Sequence, residues 1–346
     1  MVVLDVPLMQ RFQPGRFYKD STSINGLDFH ESEPILVSTS DDDSIHVYNT
    51  ETGQRTKTLY SKKYGCSGVR FTHSTEAILY ASKPKAGSGE GKKAADALVN
   101  DHAVRYHCIH DNTYLRYFRG HTDQVVDISV SPRTDQFLTS SVDGTTRMWD
   151  LRSPSCAAII KIPTGVPRAQ FDHQGLIFAA TASVNEVVLY DVRNYEQGPF
   201  VSFTVDPVLS KSGDLPTYGV STMKFSMDGE SILVMCGGVI HVIDAFNGTK
   251  KLKLNVPGAE SSLVPLEPTW TPDGQFILCA GGGDQKIHVW SAGTGVELEP
   301  WRNRHAGAVA CMKWSPNTAL VASGCTEGGL AMYVPVSYTH LTLPTN

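Results

Sequence analysis

The stretch GHTDQVVDISVSPRTDQFLTSSVDGTTRMWD, residues 120–150, contains the pattern that decides the fold. It opens with the pair Gly120-His121, runs through two apolar strands separated by a turn, and closes a third short strand on Trp149-Asp150. Gly-His and Trp-Asp marks in this order are typical of the repeat that forms one blade of a β-propeller. The stretch therefore predicts a single four-stranded blade.

Six more degenerate copies of this pattern are spread along the chain at intervals of roughly 40–60 residues. The third strand of each copy closes on an aromatic or apolar residue, giving the series Tyr48, Tyr106, Trp149, Tyr190, Ile243, Trp290 and Tyr333. A single blade cannot bury both of its faces and must stack on its neighbours. The seven copies therefore predict one all-β domain, a seven-bladed β-propeller of the WD40 type.

The two ends of the repeat array predict how the ring closes. The last copy has three strands and lacks an outer one, whereas residues 10–18 have no partner within the first copy. Pairing the N-terminal strand with the seventh blade would remove two exposed sheet edges. We therefore expect one domain over residues 10–336, with a flexible insertion at 83–101 and a tail at 337–346 outside the fold that is possibly foreign to it.

Composition narrows the function classes. The formal net charge is −5, which argues against broad nucleic-acid binding because that function requires a basic face. The sequence contains no apolar run of about 18 residues, so no membrane-spanning helix is expected. Its seven cysteines are dispersed without a Cys-x-x-Cys pair, a pattern that indicates free thiols in a reducing compartment.

The possible catalytic motifs in the sequence fit a structural role better than a catalytic one. His121, Ser141 and Asp143 superficially form a hydrolase triad, but together with Trp149 they predict a buried hydrogen-bond chain within the blade, each link contributing about 1 kcal/mol. The glycine-rich residues 87–93 lack the spacing of a phosphate-binding loop. We expect neither a catalytic group, nor a metal, nor a cofactor.

Binding residues are easier to nominate. Lys62, Lys63 and Tyr64 lie in a loop that connects the first blade to the second, and Arg119 and Arg168 lie in the equivalent loops farther along the chain. Strands of a blade alternate in direction, so these loops share one rim of the disc. Loops held by a rigid scaffold commonly carry recognition, and lysines beside tyrosines suit an acidic or phosphorylated peptide. A merely solvated charged loop is the alternative.

Two runs are far more specific than the Trp-Asp marks: SKKYG at residues 61–65 and WDLRSP at residues 149–154. Because of these two runs, the chain resembles the WD-repeat subunit shared by the COMPASS histone-lysine methyltransferase and, in fungi, the cleavage and polyadenylation factor. Further matching runs occur at residues 38–45, 110–118, 175–180, 243–246 and 286–290. The resemblance extends from about residue 10 to 335, and the insertion at 83–101 departs from it.

The resemblance implies a nuclear, non-catalytic scaffold that works as a monomeric propeller within hetero-complexes. It implies binding to a segment of the methyltransferase catalytic subunit, to a phosphatase-targeting subunit of the polyadenylation and termination machinery, and to the serine-phosphorylated tail of RNA polymerase II. Neither direct nucleic-acid binding nor membrane association is expected. Two other classes remain open. A ubiquitin-ligase substrate receptor would need an adaptor-binding segment outside the ring, and a propeller hydrolase would need acidic or histidine groups that converge on the central channel.

Overall fold

A computed structural model describes residues 4–83, 102–206, 219–259, 262 and 264–336. Within these residues, 28 strands form seven antiparallel sheets of four strands each, which confirms the seven-bladed propeller. The strands are short and rich in β-branched and aromatic residues, and turns containing Gly, Asp, Ser or Pro separate them, as sheets of this kind require. The middle strands are almost wholly buried, whereas the outer strands alternate between exposed and covered residues.

From the channel outward, the first blade consists of β2 (Ile24–Phe29), β3 (Ile35–Ser40), β4 (Ser44–Asn49) and β5 (Gln54–Tyr60), and the second of β6 (Ser67–Phe71), β7 (Ala77–Ala81), β8 (Val104–Cys108) and β9 (Thr113–Phe118). The third blade consists of β10 (Val125–Val130), β11 (Gln136–Ser141), β12 (Thr145–Asp150) and β13 (Ser153–Lys161), and the fourth of β14 (Ala169–Phe171), β15 (Ile177–Ser183), β16 (Glu186–Asp191) and β17 (Val201–Thr204). A short 3₁₀ helix, Tyr195–Gln197, precedes β17.

The strands of the last three blades are β18 (Val220–Phe225), β19 (Ser231–Cys236), β20 (Val239–Asp244) and β21 (Lys250–Asn255); β22 (Thr269–Trp270), β23 (Phe276–Ala280), β24 (Lys286–Ser291) and β25 (Trp301–Arg302); β26 (Val309–Trp314), β27 (Val321–Cys325), β28 (Gly329–Pro335) and β1 (Phe12–Lys19).

The seventh sheet confirms ring closure by the N-terminal strand. Strand β1 pairs antiparallel with β28, from Phe12 opposite Pro335 to Lys19 opposite Gly329. The register shifts just after Pro14, where a bulge on an outer strand tolerates the missing N–H of proline. Strands from opposite ends of the chain thus share one sheet, and the first and last blades are covalently tied.

The packed part of the chain begins earlier than the expected boundary at residue 10. A short helix, α1 (Val6–Met9), precedes β1 and begins after Asp5, whose side chain accepts the N–H of Leu8. Leu4 and Met9 are buried in the cluster between the sixth and seventh blades. The indole N–H of Trp301 also donates to the Met9 carbonyl at 2.7 Å. Burial of these apolar side chains draws residues 4–9 into the fold.

The described residues form seven apolar clusters, most of them where the faces of adjacent blades meet. Between the second and third blades, for example, Leu79 and Phe118 pack with Phe137 and Trp149. The Phe118 and Phe137 rings meet edge to face at 4.7 Å between centroids, a favoured aromatic geometry. No blade buries its faces alone, so the ring is cooperative.

In the second blade, the residue that closes the third strand is His107 rather than the expected Tyr106. His107 lies opposite Ile78 in the sheet, as Trp149 lies opposite Phe137 in the third blade. His107 is buried, whereas Tyr106 is only partly covered.

Several expectations concern residues outside the described ranges. All of the insertion at 83–101 except Lys83 lies outside them, as does the whole tail at 337–346. All seven cysteines lie within them, and each is a free thiol. No helix in the described part of the chain is long and apolar enough to cross a membrane.

A basic and aromatic candidate docking surface

The loop between β5 and β6 is a tight turn with a fixed backbone. The amides of Tyr64 and Gly65 both donate to the carbonyl of Ser61, at 3.0 and 2.8 Å, and the amide of Lys83 donates to the carbonyl of Tyr64 at 3.1 Å. Gly65 has φ +73°, and a Cβ at this position would lie 2.5 Å from the Lys83 carbonyl oxygen. Only glycine fits there, so the sequence determines the path that presents the two preceding lysines.

Each lysine of this loop lies over a tyrosine ring. The Nζ of Lys62 is 5.2 Å from the centroid of Tyr60, and the Nζ of Lys63 is 5.1 Å from that of Tyr64. Both lysines are exposed, and Tyr60 is 52% exposed. Cation–π contacts of this kind are worth about 0.5–1 kcal/mol when exposed. They hold each ammonium group beside a tyrosine ring.

A buried arginine joins this loop to the edge of the second blade. The Cζ of Arg105, on β8, lies 3.6 Å from the centroid of Tyr64 and 5.5 Å from that of Tyr117. The Cζ of the exposed Arg119 lies 5.3 Å from the same Tyr117 ring. Tyr64 and Tyr117 therefore both lie beside the Arg105 guanidinium, and each ring also has a second cation nearby, Lys63 for Tyr64 and Arg119 for Tyr117. We call Tyr60, Lys62, Lys63, Tyr64, Tyr117 and Arg119 the basic-aromatic surface.

A layer of stacked rings supports this surface. Tyr114 meets Tyr64 edge to face at 6.2 Å and stacks on His107 at 4.8 Å between centroids. Burial lowers the pKa of His107 despite its contact with Asn112, so the imidazole is neutral at pH 7. Its Nε2 donates to the side-chain oxygen of Asn112 at 3.1 Å. A neutral, hydrogen-bonded ring is a rigid platform that adds no competing charge.

The acidic residues 41–43, in the turn between β3 and β4 of the first blade, lie beside the lysine loop. The amide of Ser61 donates to the Asp43 carbonyl at 2.8 Å. The Asp41 carboxylate accepts from Asn25 and pairs with Lys83, both at 2.6 Å, while Asp42 accepts the amide of Ser44 at 3.0 Å. The carboxylates of Asp41 and Asp42 are thus engaged within the fold.

Arg168 does not belong to this surface, contrary to the expectation from sequence. Its Nε donates to the Ser221 carbonyl of the fifth blade at 2.6 Å. The physical reason is its position directly before β14, two residues from Gln170, so that both side chains share the channel-facing side of the inner strand. Lys62, Lys63, Tyr64 and Arg119 are brought together, whereas Arg168 faces the channel.

The expected hydrogen-bond chain in the third blade contains a different hydroxyl. The Trp149 indole N–H donates to Thr139 Oγ1 at 2.8 Å, Thr139 Oγ1 lies 2.7 Å from His121 Nε2, and His121 Nδ1 lies 2.8 Å from Asp143 Oδ2. Ser141, which was expected in this chain, instead donates to the Asp123 carbonyl at 2.9 Å.

The pKa shifts of its ionisable groups determine the proton positions in this hydrogen-bond chain. Burial lowers the pKa of His121, so the ring is neutral. Burial alone would raise the pKa of Asp143, but hydrogen bonds from Thr145, His121 and Thr122 lower it to about 2. His121 therefore donates from Nδ1 to a carboxylate and accepts at Nε2 from Thr139, which in turn accepts from Trp149. Every polar group of the chain is then satisfied, and the described residues contain no cluster of three potential metal ligands.

The fold and these blade contacts define the class, a WD-repeat β-propeller. The family model "WD domain, G-beta repeat" matches residues 12–49, 112–150, 261–291 and 300–333. The chain is 36% identical to "WD repeat-containing protein 82" of Drosophila melanogaster over 95% of its length and 96% of that protein.

Two fungal relatives are similar over most of their lengths. The chain is 31% identical to "Set1 complex component swd2" of Schizosaccharomyces pombe, covering 99% of this chain and 87% of that protein. It is 30% identical to "COMPASS component SWD2" of Saccharomyces cerevisiae, covering 82% and 80%. The chain belongs to the family of WD-repeat proteins that these relatives represent.

Proposed function

We propose that the protein is a non-catalytic docking subunit of nuclear complexes and that its basic-aromatic surface binds an acidic or phosphorylated peptide segment of a partner. The observation that carries the proposal is the arrangement of Lys62, Lys63 and Arg119, each held over a tyrosine ring. Two of those rings, Tyr64 and Tyr117, also lie beside one buried guanidinium. Loops on a rigid scaffold are the usual place for recognition. Clustered cations are the usual means of reading acidic or phosphorylated segments.

The chemistry of this surface favours a peptide with apolar as well as acidic residues. Tyr60 and Tyr117 present flat rings beside the cations, and tyrosine combines apolar area with a hydroxyl that can donate or accept. Tyrosine and arginine are also enriched among residues that dominate interface energies. Lys62 and Lys63 supply charge that steers an acidic segment toward the loop. One peptide could therefore use both kinds of contact.

The names of the relatives support a place in a methyltransferase complex. The two fungal proteins are named as components of the Set1 complex and of COMPASS. We extend that role to this chain and propose that its partner there is the methyltransferase catalytic subunit and that the protein is nuclear. We further propose a second role in mRNA 3′-end processing, through a phosphatase-targeting subunit of the polyadenylation machinery. The family resemblance supports that second role.

The channel chemistry argues against one hydrolytic role, that of a general acid at Glu267. Carboxylates of Asp28, Asp127 and Glu267 do converge on the channel, as a propeller hydrolase would require, but each has a cation within 4 Å. Burial would raise the pKa of Glu267, whereas Lys224, Lys313 and Arg70 lower it to about 2. A carboxylate that stays ionised at neutral pH cannot serve as a general acid.

The test is purification of the tagged protein from nuclear extract, with the double variant Lys62→Glu/Lys63→Glu beside wild type. We expect wild type to retain the methyltransferase catalytic subunit and polyadenylation subunits, identified by mass spectrometry. We expect the variant to lose at least one of these sets, because reversed charge repels an acidic segment. Thermal melts of both proteins should agree within about 3 °C, since the two exposed cation–π contacts that are lost contribute at most about 2 kcal/mol together.

A matched control places the same charge change elsewhere. Lys253 on β21 of the fifth blade and Lys286 on β24 of the sixth are exposed, and Lys253→Glu/Lys286→Glu should retain every partner. Equal losses in both double variants would indicate a nonspecific charge effect and contradict the assigned surface. Absence of both complexes from the wild-type sample would contradict the proposed function as a whole.

A further inference from the structure

The central channel has an unequal number of positive and negative side chains. Among the described residues, the inner strands and the residues next to them place three carboxylates, Asp28, Asp127 and Glu267, around the channel. Three cations pair with them: the Lys224 Nζ lies 2.8 Å from Glu267, the Lys313 Nζ 3.7 Å from Asp28, and the Arg70 Nη2 3.9 Å from Asp127. Arg168 is a fourth cation with no carboxylate of its own.

Arg168 is also incompletely hydrogen-bonded. Its Nε donates to the Ser221 carbonyl, but within the described part of the chain its buried Nη1 has no hydrogen-bond partner. Its strongest electrostatic partners are Asp127 in the third blade and Glu267 before the inner strand of the sixth. Both carboxylates already pair with other cations. A buried guanidinium without a counter-charge carries a large desolvation penalty, so the site is chemically incomplete.

A cavity opens at the end of the channel opposite the basic-aromatic surface, and Gln170, two residues after Arg168 in the chain, is among the residues that line it. Its volume is about 220 Å³, and the channel-facing side chains that line it include Asp28, Arg70, Ser129, Gln170 and Lys313. A water molecule occupies about 30 Å³ of liquid, so a tetrahedral anion with its hydration fits. At the mouth, Glu31 and His73 lie 3.6 Å apart.

We propose that one small oxyanion of the phosphate class binds between this cavity and the adjoining part of the channel that contains Arg168. Its principal partners are Arg168 and Arg70. A guanidinium presents a planar fork that matches phosphate oxygens in a bidentate manner, and the anion would supply the missing negative charge. The state of Lys313 agrees with this assignment. Burial first, and then the charges of Arg70 and Lys224, lower its pKa to about 8. The cations of the channel thus repel one another without an additional anion.

The primary experiment measures binding of inorganic phosphate to the purified protein. Isothermal titration calorimetry at pH 7 should show one saturable site. Thermal melts in phosphate and in chloride at equal ionic strength should separate the specific effect from general salt screening. At a phosphate concentration about 100-fold above the Kd, we expect the melting temperature to rise by about 3 °C more than in chloride. No binding heat and equal melting temperatures in the two salts would overturn the proposal.

Two variants test whether the anion binds in the channel. Arg168→Gln removes the unpaired charge and should abolish both the binding heat and the phosphate-specific shift. Ser129→Asp supplies a resident carboxylate. The Ser129 Oγ accepts the amide of Phe171 at 3.0 Å, as an Asp28 oxygen accepts the amide of Phe71 at 2.8 Å two blades earlier, so an aspartate has a structural precedent here.

Ser129→Asp should melt in chloride at or above the wild-type temperature and gain nothing from phosphate. Lys62→Gln/Lys63→Gln, which changes only the basic-aromatic surface, should keep the full phosphate response. If phosphate binding persists in both Arg168→Gln and Ser129→Asp, the anion binds elsewhere and the channel site is wrong. If Arg168→Gln does not fold, the result with Ser129→Asp decides alone.

Discussion

The guanidinium carbon of Arg105 lies 3.6 Å from the centroid of the Tyr64 ring, so a buried cation supports the exposed lysine loop from within the second blade. Arg105 is 0% exposed, and its Nη1 also donates to the Ala103 carbonyl at 3.3 Å. The loop is therefore ordered before any partner arrives. Pre-ordered contact groups lose less conformational entropy on binding, which suits a docking surface that selects short segments.

Replacement of Arg105 should loosen the loop and weaken docking together. Arg105→Met keeps the apolar stem but removes the guanidinium from the Tyr64 face, where a desolvated cation–π contact is worth about 2 kcal/mol or more. We expect the free energy of unfolding to fall by at least about 2 kcal/mol, measured by urea denaturation. Arg119→Met, which removes an exposed cation from Tyr117, should cost at most about 1 kcal/mol. Equal costs in the two variants would refute the supporting role of Arg105.

The hydroxyl of Thr139 should matter more than that of Ser141. Thr139→Val keeps the shape but leaves the Trp149 indole N–H and His121 Nε2 without partners in a dry site. At about 1–3 kcal/mol for each of the two unsatisfied groups, we expect a loss of about 2–6 kcal/mol. Ser141→Ala should cost less, about 1–2 kcal/mol, because it removes two part-buried bonds to the backbone, one to the Asp123 carbonyl and one from the Asp143 amide. The measurement is chemical denaturation of both variants, and the reverse order would contradict the hydrogen-bond chain described here.

The choice between these two hydroxyls shows where sequence reasoning stops. Thr139 and Ser141 are two residues apart on one strand and so share a face, which means that alternation of side chains cannot distinguish them. The error at Tyr106 has a different cause. The closing position of the second blade holds a histidine, His107, so the adjacent Tyr106 matches the aromatic residues of the other blades better than the residue that occupies the position. The number of blades and the ring closure were predictable because they depend on repetition, which is visible in the sequence.

Within the candidate surface, only the residues that are neighbours in the sequence could be predicted to lie together. Lys62, Lys63 and Tyr64 are neighbours in the chain, so their shared loop could be inferred directly. Arg105 belongs to a different blade and is brought beneath Tyr64 by packing alone. Arg168 was misplaced because a residue between a loop and an inner strand can face either the rim or the channel. Its direction depends on the register of β14, which became known only from the sheet.

Ring closure should depend on one face of β1. Phe12 stacks on Trp301 at 4.6 Å between centroids with the ring planes 3° apart, and it is buried in the cluster between the sixth and seventh blades. Phe12→Ala should lower the free energy of unfolding by about 3–5 kcal/mol through loss of packing and creation of a cavity. Phe17, on the same strand but 38% exposed, provides the comparison: its ring contacts His305 at 5.7 Å between centroids, and Phe17→Ala should cost about 1–2 kcal/mol. Similar urea midpoints for the two variants would contradict this account of closure.

His305 should make the seventh blade sensitive to acid. Its imidazole is buried, its Nε2 lies 2.7 Å from Ser323 Oγ, and burial lowers its pKa to about 4. The unfolded chain has a histidine pKa of about 6.5 and therefore binds the proton more readily than the folded protein between these two values. Stability attributable to His305 is complete above pH 6.5, declines as the pH falls, and changes no further once the pH is below about 4.

Between pH 7 and 4.5, this single group should account for a loss of about 2.5 kcal/mol. Burial also lowers the pKa of His121 and His241, so wild type should lose more than this amount in total. His305→Gln removes the titrating group, and its urea unfolding free energy should fall by about 2.5 kcal/mol less than that of wild type over the same range. His110→Gln, a change at an exposed histidine, should reproduce the wild-type pH dependence. If His305→Gln and His110→Gln give the same slope, protonation of His305 does not couple to unfolding.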